Sequence, residues 1–369
     1  MLSLISLSES LVKYTLASTL LLIVVLSGCE LSSTLDEDNV VGGVNLTELF
    51  ATPVNSEIQS VLADWSGRLP RAEDVVVEMT RAITLNGMSS TVRIVSHTVQ
   101  GVKHYGAVVS ADNLDLNSAP ILVYAHGGDS GVSVDNEFLL LISVFADLSD
   151  QFVFVIPSFR DEPLAFAGNV WQSEGPASPW DWDVDDAMSL VEVALQIEPA
   201  ANSDRIAVLG FSRGAGVGML MASRSRSIDA VLDFFGPTDF FGPFVQEVVS
   251  ESLEGNLRDL PGIDYLTEEF TLPYQQGSLS LEDIRLELVR RSPALFADRI
   301  SKLQIHHGTA DQTVPVSQSE RMISAMQAAG HTDDTFQAFL YEGGEHNPFT
   351  LEGSIERARI FLEDFLADS

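Results

Sequence analysis

Cysteine is nearly absent from this sequence, since Cys29 is the single cysteine in 369 residues. One cysteine excludes a disulfide bond within the chain and a metal centre built from several thiolates. The composition is not that of a disordered chain, because 45% of the residues are hydrophobic and they are spread along the sequence. The length suits one large domain with decorations or two small domains.

Basic residues are also scarce: 20 Lys and Arg stand against 53 Asp and Glu, which gives a formal net charge of -33 at pH 7. Such a surface repels phosphate backbones, so nucleic acid is not an expected partner. The acidity is typical of a protein kept soluble in a salty medium, where ions screen the self-repulsion.

The N-terminal region contains an apolar run at residues 16–26, which follows Lys13 and is interrupted by Ser18 and Thr19. About ten apolar residues suit the core of a signal peptide, whereas a membrane-spanning helix needs about 20. The run ends in Leu26-Ser27-Gly28-Cys29, which resembles the bacterial lipobox. In that motif the cysteine thiol receives a diacylglyceryl group and becomes the mature N-terminus.

This resemblance predicts that residues 1–28 are a lipoprotein signal peptide and that Cys29 is lipidated. The expected location is the cell envelope of a bacterium, on the periplasmic side or the outer surface. The membrane is then a partner through the lipid anchor. The alternatives are an ordinary secretory signal with an incidental cysteine, and an uncleaved anchor.

The rest of the sequence divides into a flexible acidic tether at residues 29–44, a helical extension at residues 45–90 and one α/β domain at residues 91–369. We predict eight strands, at residues 91–99, 103–110, 121–125, 152–156, 205–209, 230–235, 303–307 and 336–341. Two antiparallel strands followed by repeated β-α units imply a mostly parallel sheet with helices on both faces. Residues 237–299 interrupt this rhythm and are predicted to form a helical insertion, or lid.

A nucleophile is indicated by Gly210-Phe211-Ser212-Arg213-Gly214, which follows an apolar strand and opens a helix. A serine on such a sharp turn is exposed, and only very small residues fit two positions before and after it. We therefore predict Ser212 as a nucleophile, against the alternative of a glycine-rich helix start.

A serine hydroxyl is a poor nucleophile at neutral pH and needs a base. His346 lies in a glycine-containing loop between the last strand and the last helix, and it is the predicted base. Asp311 directly follows the strand before, and it is the predicted acid that orients the imidazole. Asp239, which follows the preceding strand, is the competing acid.

The same chemistry requires N–H donors for an oxyanion. One predicted donor is the backbone N–H of Arg213, directly after the nucleophile. The other is expected from Gly127 or Gly128, in the His126-Gly127-Gly128 loop after a strand, where glycines let substrate approach the backbone. The alternative for this loop is a plain tight turn.

Four stretches together resemble the catalytic domain of the prolyl oligopeptidase family (peptidase family S9) and its esterase relatives. They are residues 123–128, the turn at Ser212, Arg291-Ser292-Pro293-Ala294, and residues 307–319 with their Asp-x-x-Val-Pro and Gln-Ser motifs. The resemblance implies the α/β-hydrolase fold, with Ser212, Asp311 and His346 as the catalytic triad. The chain departs from the family at Ser212-Arg213-Gly214-Ala215, where peptidases often read Ser-Tyr-Gly-Gly, and too few residues precede the fold for a β-propeller.

The sequence thus predicts a serine hydrolase that acts through an acyl-enzyme, with carboxylic esters as the first candidate substrates. A serine exopeptidase that takes short peptides is the alternative, and an inactive surface-binding lipoprotein is the second alternative. We expect no cofactor and no metal. The sequence does not indicate an oligomeric state.

Overall fold

The computed structural model describes residues 39–68 and 70–367 of the chain. The strands in these ranges are β1 (Val40–Val41), β2 (Val44–Asn45), β3 (Glu73–Leu85), β4 (Met88–Val99), β5 (Val102–Ala111), β6 (Ala119–Ala125), β7 (Val132–Ser133), β8 (Val153–Pro157), β9 (Pro163–Phe166), β10 (Asn169–Gln172), β11 (Ala201–Phe211), β12 (Ala230–Phe234), β13 (Leu303–Gly308) and β14 (Phe336–Tyr341).

The α-helices in the same ranges are α1 (Leu46–Leu49), α2 (Asn55–Gly67), α3 (Leu139–Ile142), α4 (Trp182–Ile197), α5 (Arg213–Arg224), α6 (Pro243–Leu253), α7 (Ile263–Leu266), α8 (Leu272–Gln275), α9 (Leu281–Arg290), α10 (Ser317–Ala328) and α11 (Ser354–Ala367). Short π-helical turns occupy Val134–Phe138 and Thr267–Thr271, and 3-10 helical turns occupy Ser143–Leu148, Pro293–Arg299 and Pro348–Thr350.

In the described part of the chain, nine strands form the central sheet in the order β14-β13-β12-β11-β6-β8-β5-β4-β3. The six strands from β14 to β8 are parallel, whereas β5, β4 and β3 continue the sheet antiparallel. All eight predicted strands lie in this sheet, so the predicted mostly parallel α/β architecture is confirmed. The number of strands is nine instead of eight.

Both faces of the sheet are covered, as strand β6 illustrates. Its residues are all buried, and Ile121 and Val123 face the core that contains α4 and α5. Leu122 and Tyr124 face the second core, which contains residues of α11. Successive side chains of a strand point to opposite faces, so a continuous apolar run is what a doubly covered strand requires.

The prediction of a helical extension at residues 45–90 is wrong for its second half. Only α1 and α2 are helical, and Glu73–Leu85 forms the long edge strand β3, paired antiparallel with β4. The two strands are joined by Asn86-Gly87, with φ of 49° and 87°. Asn-Gly tolerates positive φ at both positions of a two-residue hairpin turn, so this hairpin had a sequence signal. Most of β3 is exposed, and as the edge strand it has a neighbouring strand, β4, on one side only.

The predicted flexible tether also ends earlier than residue 44. Residues 40–45 form the β1-β2 hairpin, and Val44 is buried. The Gln275 side chain donates to the carbonyl oxygen of Gly42 at 2.9 Å, which fixes this segment against the insertion. The predicted insertion at residues 237–299 contains α6 to α9 and lies between β12 and β13.

The predicted signal peptide, Cys29 and residues 29–38 of the predicted tether lie outside the described residues. Among the helices of residues 39–68 and 70–367, none combines the length and the apolar character needed to cross a membrane.

Candidate active site

Ser212 lies on a strained turn between β11 and α5, with φ of 52° and ψ of −120°. A β-carbon added to Gly210 would lie 2.5 Å from the carbonyl oxygen of Gly214, and one added to Gly214 would lie 2.0 Å from that of Ala125. These two positions therefore accept only glycine. The turn ends the strand abruptly and presents Ser212 at the carboxyl edge of the sheet, as a nucleophile elbow requires.

Asp311 and His346 are brought together by the loops that follow β13 and β14. Nδ1 of His346 lies 2.6 Å from Oδ2 of Asp311. The other oxygen of Asp311 accepts the backbone N–H groups of Thr313 at 2.8 Å and Val314 at 2.9 Å. Burial alone would raise the pKa of Asp311, but hydrogen bonds from His307 and His346 outweigh it and hold the pKa well below its usual range. The carboxylate stays ionised and holds the proton of His346 on Nδ1.

Asp239, the competing acid, is bound by residues other than His346. Its Oδ2 accepts a hydrogen bond from Nε of Arg321 at 3.1 Å, and its Oδ1 accepts the backbone N–H of Phe241 at 2.9 Å. Gln318 also binds the backbone around Asp239, with its Oε1 accepting the N–H of Asp239 at 2.8 Å. Of the two candidate acids, Asp311 is the one hydrogen-bonded to His346.

The predicted oxyanion donors lie beside the nucleophile. A β-carbon added to Gly127 would lie 3.2 Å from Cβ of Ser212, so the loop after β6 runs against the elbow. Gly128 has a φ of 72°, which favours glycine. Arg213 is the first residue of α5, and the N–H groups of a first helical turn have no acceptor within their helix.

One cavity of about 390 Å³ joins these groups, since Ser212, His346, Gly127, Gly128 and Arg213 all line it. Its remaining walls are mostly apolar or aromatic: Trp180, Phe211, Phe235, Pro237, Phe244, Leu260, Pro261, Ile263, Thr313, Val314 and Pro348. Asp311 lies behind His346 and outside this lining. Among the described residues that form the walls, none is acidic.

Part of the sequence, residues 193–348, matches the profile of the family described as BAAT / acyl-CoA thioester hydrolase C terminal. The search of curated proteins found no match. Acetyl xylan esterase 1 from Thermoanaerobacterium sp. is similar in structure, with a TM-score of 0.57 and 15% identity over 88% of this chain and 98% of the esterase.

Two peptidases are also similar in structure. Acylaminoacyl peptidase from Pyrococcus horikoshii aligns with a TM-score of 0.50 and 16% identity, over 79% of this chain and 41% of that one. A puromycin-hydrolyzing peptidase from Mycobacterium tuberculosis aligns with a TM-score of 0.49 and 21% identity, over 78% of this chain and 39% of that one. This chain thus spans about two fifths of the length of the peptidases.

The chain has the α/β-hydrolase fold. The sequence motifs predicted this fold, and they predicted the similarity to prolyl oligopeptidase catalytic domains and to esterases. At these identities the similarity is one of fold, and it assigns no substrate.

One group of residues at this site was not predicted from the sequence. The Arg213 side chain is buried, and it donates hydrogen bonds to the carboxyl groups of Asp183 and Glu162. Asp183 belongs to an acidic run at the start of helix α4, where negative charge is favourable to the helix dipole. The structure also buries Asp183 and Asp186 as partners of arginines. No spacing in the sequence links Arg213 to Glu162, which lies 51 residues earlier.

Trp180 has two roles in the structure. It is buried against Phe240, with ring centroids 5.0 Å apart, and it also forms part of the cavity wall. The predicted lid contributes to the same wall through Phe244, Leu260 and Ile263. The insertion thus shapes the space in front of Ser212.

Proposed function

We propose that the chain is a serine hydrolase that cleaves carboxylic esters through an acyl-enzyme intermediate. The observation that supports this most strongly is the Asp311–His346 pair, placed at the same cavity as a serine on a strained turn. The exposed serine, the oriented imidazole and the adjacent backbone donors are the parts that acyl transfer needs.

In the proposed reaction, Oγ of Ser212 attacks the carbonyl carbon of the ester while His346 takes the hydroxyl proton of Ser212. Asp311 accepts the hydrogen bond from Nδ1 and stabilises the imidazolium that forms. The backbone N–H of Arg213 and an N–H of the Gly127-Gly128 loop bind the oxyanion. His346 then gives the proton to the leaving alcohol, and water, activated by the same imidazole, hydrolyses the acyl-enzyme.

The cavity supports a small ester with an apolar acyl or alcohol group. Its volume of about 390 Å³ is typical of sites for small ligands, and its walls offer apolar contact with few polar groups. A free amino terminus needs an acidic partner in the site, and the walls supply none among the described residues. This lining favours esters over the substrates of an exopeptidase.

A thioester of coenzyme A is a second substrate to test, because of the name of the matched family. The coenzyme carries several phosphate charges, and the chain has a net charge of -33. Carboxylates of Asp129, Asp161 and Glu268 line a hollow that shares Arg213 with the cavity. Like charges repel, so oxygen esters of neutral alcohols are the better substrates in this proposal.

Labelling with a fluorophosphonate tests the nucleophile. Wild type is captured at Ser212, and Ser212→Ala loses capture and about 10⁴–10⁶-fold in turnover with the fold intact. The control is Ser223→Ala, because Ser223 lies on the same helix and its hydroxyl only donates to the carbonyl of Met219 at 2.8 Å. Capture at another serine contradicts the assignment, and a wild type without capture or turnover supports the inactive binding protein.

A substrate panel tests the reaction class. Short-chain aryl esters are cleaved with a kcat/KM at least about 100-fold above that of matched aminoacyl arylamides, because an amine must be protonated as it leaves. Acyl-CoA thioesters of the same acyl chain form the third arm. Comparable or faster arylamide cleavage, lost in Ser212→Ala, replaces the esterase proposal with a peptidase.

The location is a separate proposal, which rests on the lipobox at Cys29 alone. The full chain, expressed in a bacterium, partitions into the membrane fraction, and mass spectrometry finds a diacylglyceryl cysteine at its N-terminus. Cys29→Ser loses the modification and the membrane attachment. An unmodified Cys29 in the mature membrane-bound protein contradicts lipidation.

A further inference from the structure

The side chain of Arg213 binds three partners in a buried position. Its Nε and Nη2 each lie 2.9 Å from an oxygen of Asp183, which is a forked pair. Its Nη1 donates to Oε1 of Glu162 at 2.5 Å and to the carbonyl oxygen of Gly128 at 3.1 Å. Only 2% of the residue is exposed, so water does not screen these contacts. A single guanidinium thus connects helix α4, the Glu162 loop and the glycine loop after β6.

The neighbouring carbonyl of Gly127 is held by the same cluster through a second route. Nδ1 of His126 lies 3.0 Å from the carbonyl oxygen of Gly127, and Nε2 of His126 lies 3.5 Å from Oε2 of Glu162. Neither Nε2 nor Oε2 has a hydrogen-bond partner among the described residues. An imidazole that donates from Nδ1 is an acceptor at Nε2, so a protonated Glu162 can donate to it.

The protonation states agree with this geometry. Burial raises the pKa of Glu162 to about 7, and burial also lowers the pKa of His126. A neutral imidazole and a protonated carboxyl are therefore compatible in the same buried space. The His126 ring also stacks on the Phe159 ring, with centroids 4.5 Å apart. The guanidinium of Arg213 lies 4.9 Å from the centroid of the Phe159 ring.

These contacts fix the peptide plane that follows Gly127 and the one that follows Gly128. The Gly127 carbonyl shares a peptide plane with the N–H of Gly128, so the donor that these contacts orient is the N–H of Gly128. The backbone N–H of Arg213 is itself a proposed oxyanion donor. One residue therefore supplies one donor through its backbone and orients the loop of the other through its side chain.

We infer that Arg213 is a positioning residue, whose side chain sets the oxyanion loop by binding Gly128 directly and Gly127 through Glu162 and His126. The inference rests on the proposed serine-hydrolase function. Preorganised donors are effective only when they are held at the place where negative charge develops, and a displacement of about 1 Å costs about 100-fold in rate. Arg213, Glu162 and His126 hold the glycine loop after β6 in a fixed position beside Ser212.

The test compares Arg213→Lys with Arg224→Lys. Arg224 lies at the other end of helix α5, has a side chain only 5% exposed and pairs with Asp181 at 2.8 Å, but it has no hydrogen bond to the glycine loop. Both substitutions keep the positive charge and remove the planar guanidinium, which forms a forked pair only in Arg213. Activity is measured per active site, counted by titration with a fluorophosphonate, so that a loss of folded protein does not count as a loss of turnover.

Arg213→Lys lowers kcat by about 10–100-fold with a change in KM below about threefold, since the oxyanion forms only during reaction. Arg224→Lys keeps kcat within about threefold of wild type even where its melting temperature falls equally. Equal kcat values for the two variants overturn the inference and leave the proposed function intact. A wild type without turnover or capture overturns both.

A second pair of variants applies if Arg213→Lys does not fold. Glu162→Gln retains an acceptor for Arg213 and a donor for His126, whereas Glu162→Leu, of similar size, retains neither. Glu162→Gln keeps at least about tenfold more of the per-site kcat than Glu162→Leu. Equal kcat values in the two variants show that the cluster only stabilises the fold.

Discussion

Asp239, the acid that competes with Asp311 in the sequence, is paired with Arg321, Oδ2 to Nε at 3.1 Å. The pair is held at the carboxyl end of β12, one strand away from the loop that contains Asp311. Gln318 binds the backbone N–H groups of Thr238 and Asp239, both at 2.8 Å. The two aspartates therefore have different partners and different expected effects on activity.

The first prediction compares Asp311→Asn with Asp239→Asn. Asparagine cannot hold His346 in the same tautomer or stabilise the imidazolium, so Asp311→Asn lowers kcat by about 10³–10⁴-fold. Asp239→Asn changes kcat by less than about threefold, because its partner Arg321 is half-exposed. Steady-state kinetics on an aryl ester measures both. The reverse pattern moves the acid to Asp239.

The second prediction concerns Gly127→Ala. The new methyl group would lie 3.2 Å from both Cβ of Ser212 and the carbonyl oxygen of Phe211, so the glycine loop must move away from the nucleophile. We expect kcat to fall by about tenfold or more, with a change in unfolding free energy below about 1 kcal/mol.

The control for this variant is Gly67→Ala. Gly67 ends helix α2, and open space surrounds the position of its added β-carbon. Alanine there leaves kcat unchanged and makes the fold slightly more stable, because it restricts the unfolded chain. A Gly127→Ala enzyme with wild-type kcat would show that this loop supplies no donor to the oxyanion.

The sequence predicted the parts of the fold that depend on continuous apolar runs. Strands such as β6 and β8 are buried on both faces, so their positions follow from hydrophobicity alone. Strand β3 was missed because it is a largely exposed edge strand, with charged residues such as Glu78 and Arg81 along it. Its hairpin turn at Asn86-Gly87 carried the signal that was available.

The candidate site also has a part that the sequence predicted and a part that it did not. Ser212, Asp311 and His346 each follow a strand of a parallel sheet, and topology brings the carboxyl ends of such strands to one edge. The Arg213 cluster depends on side chains from separate loops and helices, with no periodic spacing. Its only sequence signal was the unusual arginine directly after the nucleophile, whose partners the structure alone identifies.

The third prediction concerns pH and Glu162. Burial raises the pKa of Glu162 from 4.5 to about 7, and the nearby carboxylates of Asp183 and Asp129 raise it as well. The positive charge of Arg213 lowers it, but by less. The imidazole of His126, which is neutral, faces the same carboxyl group. Between the two pKa values of Glu162 the folded state holds a proton that the unfolded state has lost. The resulting stability is fully present below pH 4.5 and is lost as the pH rises through about 7.

Glu162→Gln removes this titration. The unfolding free energy of wild type should therefore fall relative to Glu162→Gln between pH 4.5 and 7.5, by about 1 kcal/mol or more. Urea unfolding at several pH values measures the difference. Glu57→Gln is the control, because the hydrogen bond from Arg285 lowers the pKa of Glu57 and its effect has the opposite sign, below pH 4.5. A constant difference for Glu162→Gln contradicts the raised pKa.

The fourth prediction concerns acyl-chain selection by the insertion. Leu260 lines the cavity, so Leu260→Trp fills part of its volume of about 390 Å³ and shortens the space for substrate. We expect kcat/KM for hexanoyl esters to fall by about tenfold or more, while acetyl esters change by less than about threefold. A missing apolar contact of a few methylene groups accounts for such a difference. Leu257→Trp is the matched control, because Leu257 lies in the same segment but is 62% exposed and outside the cavity lining. Equal losses on both ester lengths in Leu260→Trp would show that the acyl chain binds elsewhere.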